Sequence, residues 1–276
     1  MMVRARAWHW ITAALVGAGC GTLVSGCAAG PIDAVGIDSR IFMQDLVAYW
    51  SFDGGPAAGT TLHDDSGFNH DGVIAGATWI MDGRFAGALR FSAGAVTVPA
   101  FPQPAATDSW TVAAWVRPAV TTDTQATYAT VIANELLREG GWEMNLRYPT
   151  TPPVYQFGYW VGPTENSYVF HDCENCVAPA AWTHVAAVRD AAARTLYFYR
   201  DGHLDGVADA TDPIGPGTDT LYMGRFPVES TMIAMGLGLT PDERRLTGDL
   251  DDIVIYRRAL GPGEIRALSR APVPVP

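Results

Sequence analysis

Apolar and polar residues along this chain alternate in short blocks separated by Gly, Pro, Asp and Asn. Leu46 to Asp53 is apolar at successive positions, the pattern of a strand covered on both faces. Gly87–Phe91 and Ala95–Pro99 read as two short strands across a glycine turn. Ser109–Pro118 alternates more strictly, with Trp110, Val112 and Ala114 on one face and Thr111, Ala113, Trp115 and Arg117 on the other. Tyr128–Ala133, Gly141–Tyr148, Tyr155–Val161 and Ser167–Phe170 have the same short, β-rich character. Trp182–Asp190 and Thr195–Arg200 form a hairpin pattern, with a second turn at Asp201-Gly202. Leu221–Arg225 leads back to a final strand, Ile253–Tyr256, with Asp249, Asp251 and Asp252 at its entrance. Leu260-Gly261-Pro262-Gly263 then turns the chain into a short helix ending near Ser269. Many short strands and one terminal helix predict an all-β, two-sheet antiparallel sandwich. At 276 residues the chain is long enough to bury a substantial core.

The first residues follow a different pattern. Arg4 and Arg6 precede the apolar run Ile11–Val24, which is the layout of a secretory leader. That run is shorter than the ~20 apolar residues a comfortable membrane span needs. It ends in Leu23-Val24-Ser25-Gly26-Cys27, which resembles the bacterial lipobox, whose cysteine is diacylated and becomes the mature N-terminus. Cys20 matches less well, because Gly17 stands three positions before it. An ordinary cleaved leader is the alternative. The resemblance implies lipidation at Cys27. Ala28 follows it, with no aspartate to retain the protein at an inner membrane, so the outer membrane is the expected address. On this reading residues 1–27 are the leader, 28–45 a tether, 46–270 the domain and 271–276 a Pro-rich tail.

Charge narrows the class of partner. With 18 basic residues, all Arg, against 29 acidic ones, the net charge is −11. Nucleic acids and anionic membrane surfaces call for basic patches and are poor partners for such a chain. Divalent cations and neutral polymers suit it better. Cys173-Glu174-Asn175-Cys176 admits a redox pair, half a zinc site or a small disulfide. No second ligand pair stands at zinc spacing, and an exported chain meets an oxidising compartment, so a disulfide pinning a loop is expected. Trp142, Tyr159 and Trp160 lie in the least constrained part of the pattern and are candidate exposed platforms for sugar rings. His184, in the middle of an apolar strand, reads as a core histidine.

Several of these stretches carry a resemblance. Tyr49-Trp50-Ser51-Phe52-Asp53 is followed by Asp64-Asp65-Ser66-Gly67 and Gly72. Trp182-Thr183-His184-Val185-Ala186 comes next, and then Tyr199-Arg200-Asp201-Gly202. The closing run is Gly248-Asp249-Leu250-Asp251-Asp252, then Ile255-Tyr256 and Arg258-Ala259-Leu260. In this order they resemble the laminin-G-like, concanavalin A-like jelly rolls of bacterial extracellular proteins. The resemblance implies a jelly-roll binding domain, acting as a monomer on a glycan or another surface macromolecule. It also implies one Ca²⁺ where the first and last strands meet, at positions matching Asp53, Asn69, Asp71, Asp251 and Asp252. Solvated turn residues and hydrogen-bonded carboxylates are the equal alternative. Glycosidases that share this fold carry catalytic carboxylates alternating along one strand. No such array is present, since Glu135, Glu139 and Glu143 fall four apart around Gly140-Gly141. A non-catalytic protein is therefore expected, with a diverged glycosidase or a purely structural envelope protein as alternatives.

Overall fold

A computed structural model describes residues 40–92, 94–120, 128–134, 141–147, 156–161, 168–170, 177–211, 213–215, 217–226 and 244–275, with the side chains of 128, 156–161 and 168–170 outside that description. In chain order the elements are α1 (Arg40–Met43), β1 (Leu46–Trp50), β2 (Thr61–Leu62), β3 (Gly72–Ala75), β4 (Thr78–Ile80), β5 (Ala88–Phe91) and β6 (Ala95–Val98). Next come β7 (Trp110–Pro118), β8 (Tyr128–Ala133), β9 (Trp142–Arg147), β10 (Gln156–Val161), β11 (Tyr168–Phe170), β12 (Thr183–Asp190), β13 (Thr195–Arg200) and β14 (His203–Asp209). The chain closes with β15 (Leu221–Met223), β16 (Gly248–Tyr256) and α2 (Pro262–Leu268).

These strands make two antiparallel sheets packed face to face. One runs β14-β13-β12-β7-β16-β5-β4, with β1 also paired to β16; the other runs β11-β10-β9-β8-β15-β6-β3-β2. The core between them is built from the inward positions of both, including Trp50, Trp110, Val112, Val131, Trp142, Leu221, Leu250 and Ile255. A second apolar layer lies on the other face of the first sheet, where Val254, Tyr256 and Tyr199 pack with Ile265 and Leu268 of α2 and with Phe42 of α1. The predicted tether and tail therefore contribute at their inner ends. Phe42 and Val273 are both buried in this layer.

β16 is the strand on which the first sheet is assembled, and every one of its nine residues is buried. β7 runs along its whole length on one side. On the other side β5 pairs Gly248–Leu250, and β1 takes over to pair Ile253–Tyr256. The aspartates predicted at the strand's entrance are therefore inside it, at the handover. The register against β7 slips between Asp251 and Val254, and Asp252 adopts φ 44 there. Such a bulge inserts a residue and resets the period-two alternation. That is why Leu250, Ile253 and Ile255 all reach the inter-sheet core.

The two short strands expected across a glycine turn are present as β5 and β6, and they lie in different sheets: β5 pairs with β4 and β16 in one, while β6 pairs with β3 and β15 in the other. The glycine between them carries the chain across the sandwich edge. A Cβ on Gly94 would stand 2.2 Å from the backbone nitrogen of Ala77. Trp142 is not an exposed platform. It is fully buried, with its ring centroid 6.0 Å from that of Trp110. On β9 it shares the inward face with Met144 and Leu146, so alternation along the strand decides its side. Trp142→Ala should cost about 3–5 kcal/mol of stability, as truncation of a buried aromatic does. Chemical denaturation would read that loss, and any ligand binding measured on still-folded protein should be unchanged.

Candidate functional site

The handover on β16 is also where the acidic side chains gather. Between β4 and β5 the chain forms a loop over residues 82–87, which lies against the bulge. Asp251 Oδ2 accepts the backbone N–H groups of Arg84 at 2.6 Å and Phe85 at 3.4 Å, and its Oδ1 accepts that of Asp252 at 2.8 Å. Asp53 holds the far end of the loop by accepting Gly87 N–H at 2.8 Å. Gly83 and Gly87 allow this approach, since a Cβ on Gly83 would lie 1.9 Å from the Gly87 carbonyl oxygen and one on Gly87 2.4 Å from that of Phe52. Arg84 then folds over the indole of Trp115, with its guanidinium carbon 4.4 Å from the ring centre.

Asp252 is placed differently. Tyr49 O–H donates to its Oδ1, while its Oδ2 is buried with no hydrogen-bond partner. Burial, and next the Asp251 charge, push the Asp252 carboxyl up to about 8. Burial pushes Asp251 up to about 7, against the opposing pull of its three N–H donors. Those donors favour charge on Asp251, whereas Asp252, with Tyr49 on one oxygen and no partner on the other, favours its neutral form. Burial, and then the neighbouring Asp252, raise the Tyr49 phenol far above its ordinary range, which keeps it a donor.

Of the positions implied for calcium, Asp53, Asp251 and Asp252 share this neighbourhood, and the charge of Asp53 bears on both other carboxyls. Asn69 and Asp71 serve the loop between β2 and β3 instead. Asp71 accepts Asp64 N–H at 2.8 Å and meets His63 at 3.4 Å, while Asn69 is exposed at a left-handed turn with φ 63. Among the described residues, no group of three His, Cys, Asp or Glu side chains is arranged to hold a metal ion.

Asp64, quoted above within the family motif but not as a site residue, organises that loop. Its Oδ1 accepts the N–H groups of Tyr49 and Ser66, both at 3.0 Å, and its Oδ2 that of His70 at 2.9 Å. Asp65 Oδ2 accepts Ser51 N–H at 3.1 Å. The two aspartates thus satisfy the edge of β1 that faces away from β16, as a further strand would. The Asp-x-Ser spacing was the available signal, because such side chains bond backbone two residues on. The loop holds Phe68 out at 55% exposure, beside a pocket of about 340 Å³ lined by Met43, Asp45, Leu46, Val47, Phe68, His70, Pro102 and Arg257. A second pocket of about 380 Å³ lies on the outer face of the first sheet. There Arg90 and Arg117 both bind Asp249, at 2.8 and 2.7 Å, and Arg117 also binds Asp82 at 2.8 Å.

Among the described residues, the remaining candidates for acid–base work are tied into structure, while Glu135 and Glu139 lie outside them. Glu143 is buried on β9, accepting Thr130 O–H at 2.6 Å and pairing with Arg244 at 2.9 Å. His184 is buried edge-on to Trp115 at 5.4 Å, and burial lowers it to about 3, so it stays neutral at ordinary pH. Tyr159 and Trp160 lie on β10, opposite Met144 and Glu143, and their side chains are outside the described residues. Cys27, Cys173 and Cys176 are likewise outside them.

The raised carboxyls at the bulge fix the sign of a pH effect. From about pH 4, where Asp ordinarily ionises with a pKa of 3.8, up to about 8, the folded chain holds protons that the unfolded chain has released. Stability of metal-free protein should therefore fall as pH rises through that window. Asp252→Asn keeps an acceptor for Tyr49 and removes the titration of Asp252. Melting temperatures measured from pH 4 to 9 should decline for the parent and decline less steeply for the variant, in which Asp251 keeps its buried carboxyl; equal slopes would show that Asp252 does not titrate there.

Comparison with known proteins places this geometry. A profile of the Laminin_G_3 family, described as concanavalin A-like lectin/glucanases superfamily, matches residues 91–266. No curated protein matches the sequence. Domain 4 of an extracellular arabinanase from Geobacillus stearothermophilus, solved in complex with arabinotriose, superposes with TM-score 0.58 at 16% identity, over 82% of this chain and 98% of that one. The binding domain of Paraclostridial Mosquitocidal Protein 1 gives TM-score 0.61 at 15% identity, and the receptor-binding domain of botulinum neurotoxin D gives 0.57 at 13%. Each of these covers 83% of this chain, which spans about half of those two longer ones, 52% and 53% respectively. The two-sheet jelly roll, its short C-terminal helix and the matched span together establish that this chain belongs to the concanavalin A-like lectin/glucanase superfamily.

Proposed function

We propose that this chain is a non-catalytic envelope protein, anchored through a lipid on Cys27 at the outer membrane, whose sandwich binds a glycan. The observation that carries the binding reading is the state of the charged side chains. Glu143, Asp249 and Asp251 accept hydrogen bonds within the fold, and His184 is held neutral. Glycoside hydrolysis needs two carboxyl groups facing one bond, about 5–9 Å apart and free to exchange protons. Binding asks only for a rigid, concave, partly apolar surface. The arabinanase domain, solved with a trisaccharide and matched over nearly its whole length, supports the same reading.

Calcium at the β16 bulge is part of this proposal. Asp252 Oδ2 and the second oxygen of Asp53 would hold it, with backbone carbonyls and water completing the six to eight oxygens that Ca²⁺ takes. The orphan Oδ2 of Asp252 is the support, and it would take either the proton or the cation. Asn69 and Asp71 do not belong to such a site, because they serve the Asp64 loop. A disulfide between Cys173 and Cys176 fits an exported chain.

An array of neutral and acidic glycans, probed with purified domain in calcium and again in EDTA, tests the reading directly. Retention of at least one glycan with no product released is expected, with weaker retention in EDTA. Turnover would return the chain to the hydrolases, and indifference to EDTA would remove calcium. Anchoring is tested separately by metabolic labelling with a palmitate analogue. The parent should be labelled and Cys27→Ser should not, and equal labelling would move the anchor elsewhere.

A further inference from the structure

We infer that the rim pocket beneath Phe68 is the seat of a neutral sugar ring, an assignment that rests on the glycan-binding reading above. The pocket brings together segments that are distant in sequence. The backbone N–H of Arg257, just past β16, donates to the Asp45 carbonyl at 2.8 Å, which sets the two residues side by side at the start of β1. The loop pinned by Asp64 closes over them from the other side. Its volume of about 340 Å³ is at the small end of the ~300–1,000 Å³ of ligand clefts, which suits one or two rings rather than a long chain.

The chemistry of the lining matches a polyhydroxylated ring. Phe68 offers an exposed aromatic face beside the apolar edges of Met43, Leu46 and Pro102. The apolar face of a sugar ring packs on such a surface, while its hydroxyls need both donors and acceptors around the edge. His70 Nδ1 lies 3.1 Å from the Val47 carbonyl oxygen, which can only accept. Nδ1, which is also 3.3 Å from Asp64 Oδ2, therefore carries a proton, and Nε2 has no hydrogen-bond partner among the described residues. The Arg257 guanidinium and the Asp45 carboxylate also enter no hydrogen bond or ion pair among the described residues. Together they supply a donor fork and an acceptor, the pairing that two adjacent hydroxyls require.

Charge excludes the obvious competitor. Arg257 alone would favour an anion, but Asp45 beside it and a chain net charge of −11 oppose one. The outer-sheet pocket, by contrast, has its arginines bound to Asp249 and Asp82. It supplies the control.

Calorimetric titration with arabinotriose, xylotriose, cellotriose and galactotriose, together with the glycan best retained on the array, provides the test. Phe68→Ala, Arg257→Ala and Asp45→Asn should each weaken binding about tenfold or more, and Phe68→Trp should restore it. All three positions are exposed, and asparagine tolerates the φ of 56 that Asp45 adopts, so melting temperatures should hold. Ser92→Trp, which fills the outer-sheet pocket, should leave binding intact. If the parent binds a glycan and the rim variants bind it equally, or if Ser92→Trp alone abolishes binding, the assignment of the site is overturned while the glycan reading stands. A parent that binds none of these saccharides overturns both.

Discussion

Three backbone N–H groups converging on one buried carboxylate, Asp251, join the parts of the first sheet that strand pairing alone does not join. β16 has two successive neighbours on one side, and between them its edge would otherwise face a loop with no ladder to complete. Asp251 supplies the acceptors for that loop, and Asp53 supplies one more at its far end. The bulge that places Asp251 there also corrects the alternation, so that the strand can bury Leu250, Ile253 and Ile255 toward the same core. Backbone satisfaction and core packing thus depend on the same inserted residue.

That arrangement has an electrostatic consequence. Placing Asp252 next to Asp251 in a buried setting puts two carboxyls where only one is compensated. Asp251 has its donors; Asp252 has Tyr49 and one oxygen without a partner. A buried, unpaired charge is costly, and a proton or a cation relieves it. The junction is therefore both the organising point of the sheet and its most chemically responsive position.

The rim is separated from this junction by β1, yet both depend on it. Asp64 and Asp65 satisfy one edge of β1 and β16 the other, so the strand that carries Tyr49 toward Asp252 also fixes the loop that holds Phe68 outward. Rigidity of the binding loop follows from buried hydrogen bonds. Phe68 stays exposed on that rigid loop, and the combination is what the proposed ligand site would require.

Local pattern was enough for much of the fold. Period-two alternation in Ser109–Pro118, the Asp201-Gly202 turn and the Gly261-Pro262 helix start each have a local physical cause, and each appears at its expected place. The order of short strands, with the motifs at both ends, specified the jelly roll. Other features depended on partners that the local sequence does not name. Trp142 reads as free in a polar neighbourhood, but Trp110 from a distant strand covers it. β5 and β6 are separated by only a short turn, and only pairing to β16 and β15 sends them to different sheets. Three aspartates within four positions signal an acidic site, whereas which of them meets N–H donors, which meets Tyr49 and which meets Arg90 and Arg117 is set by tertiary neighbours. Composition and spacing determine what each segment can become; burial and hydrogen-bond partners, both non-local, decide what each side chain does.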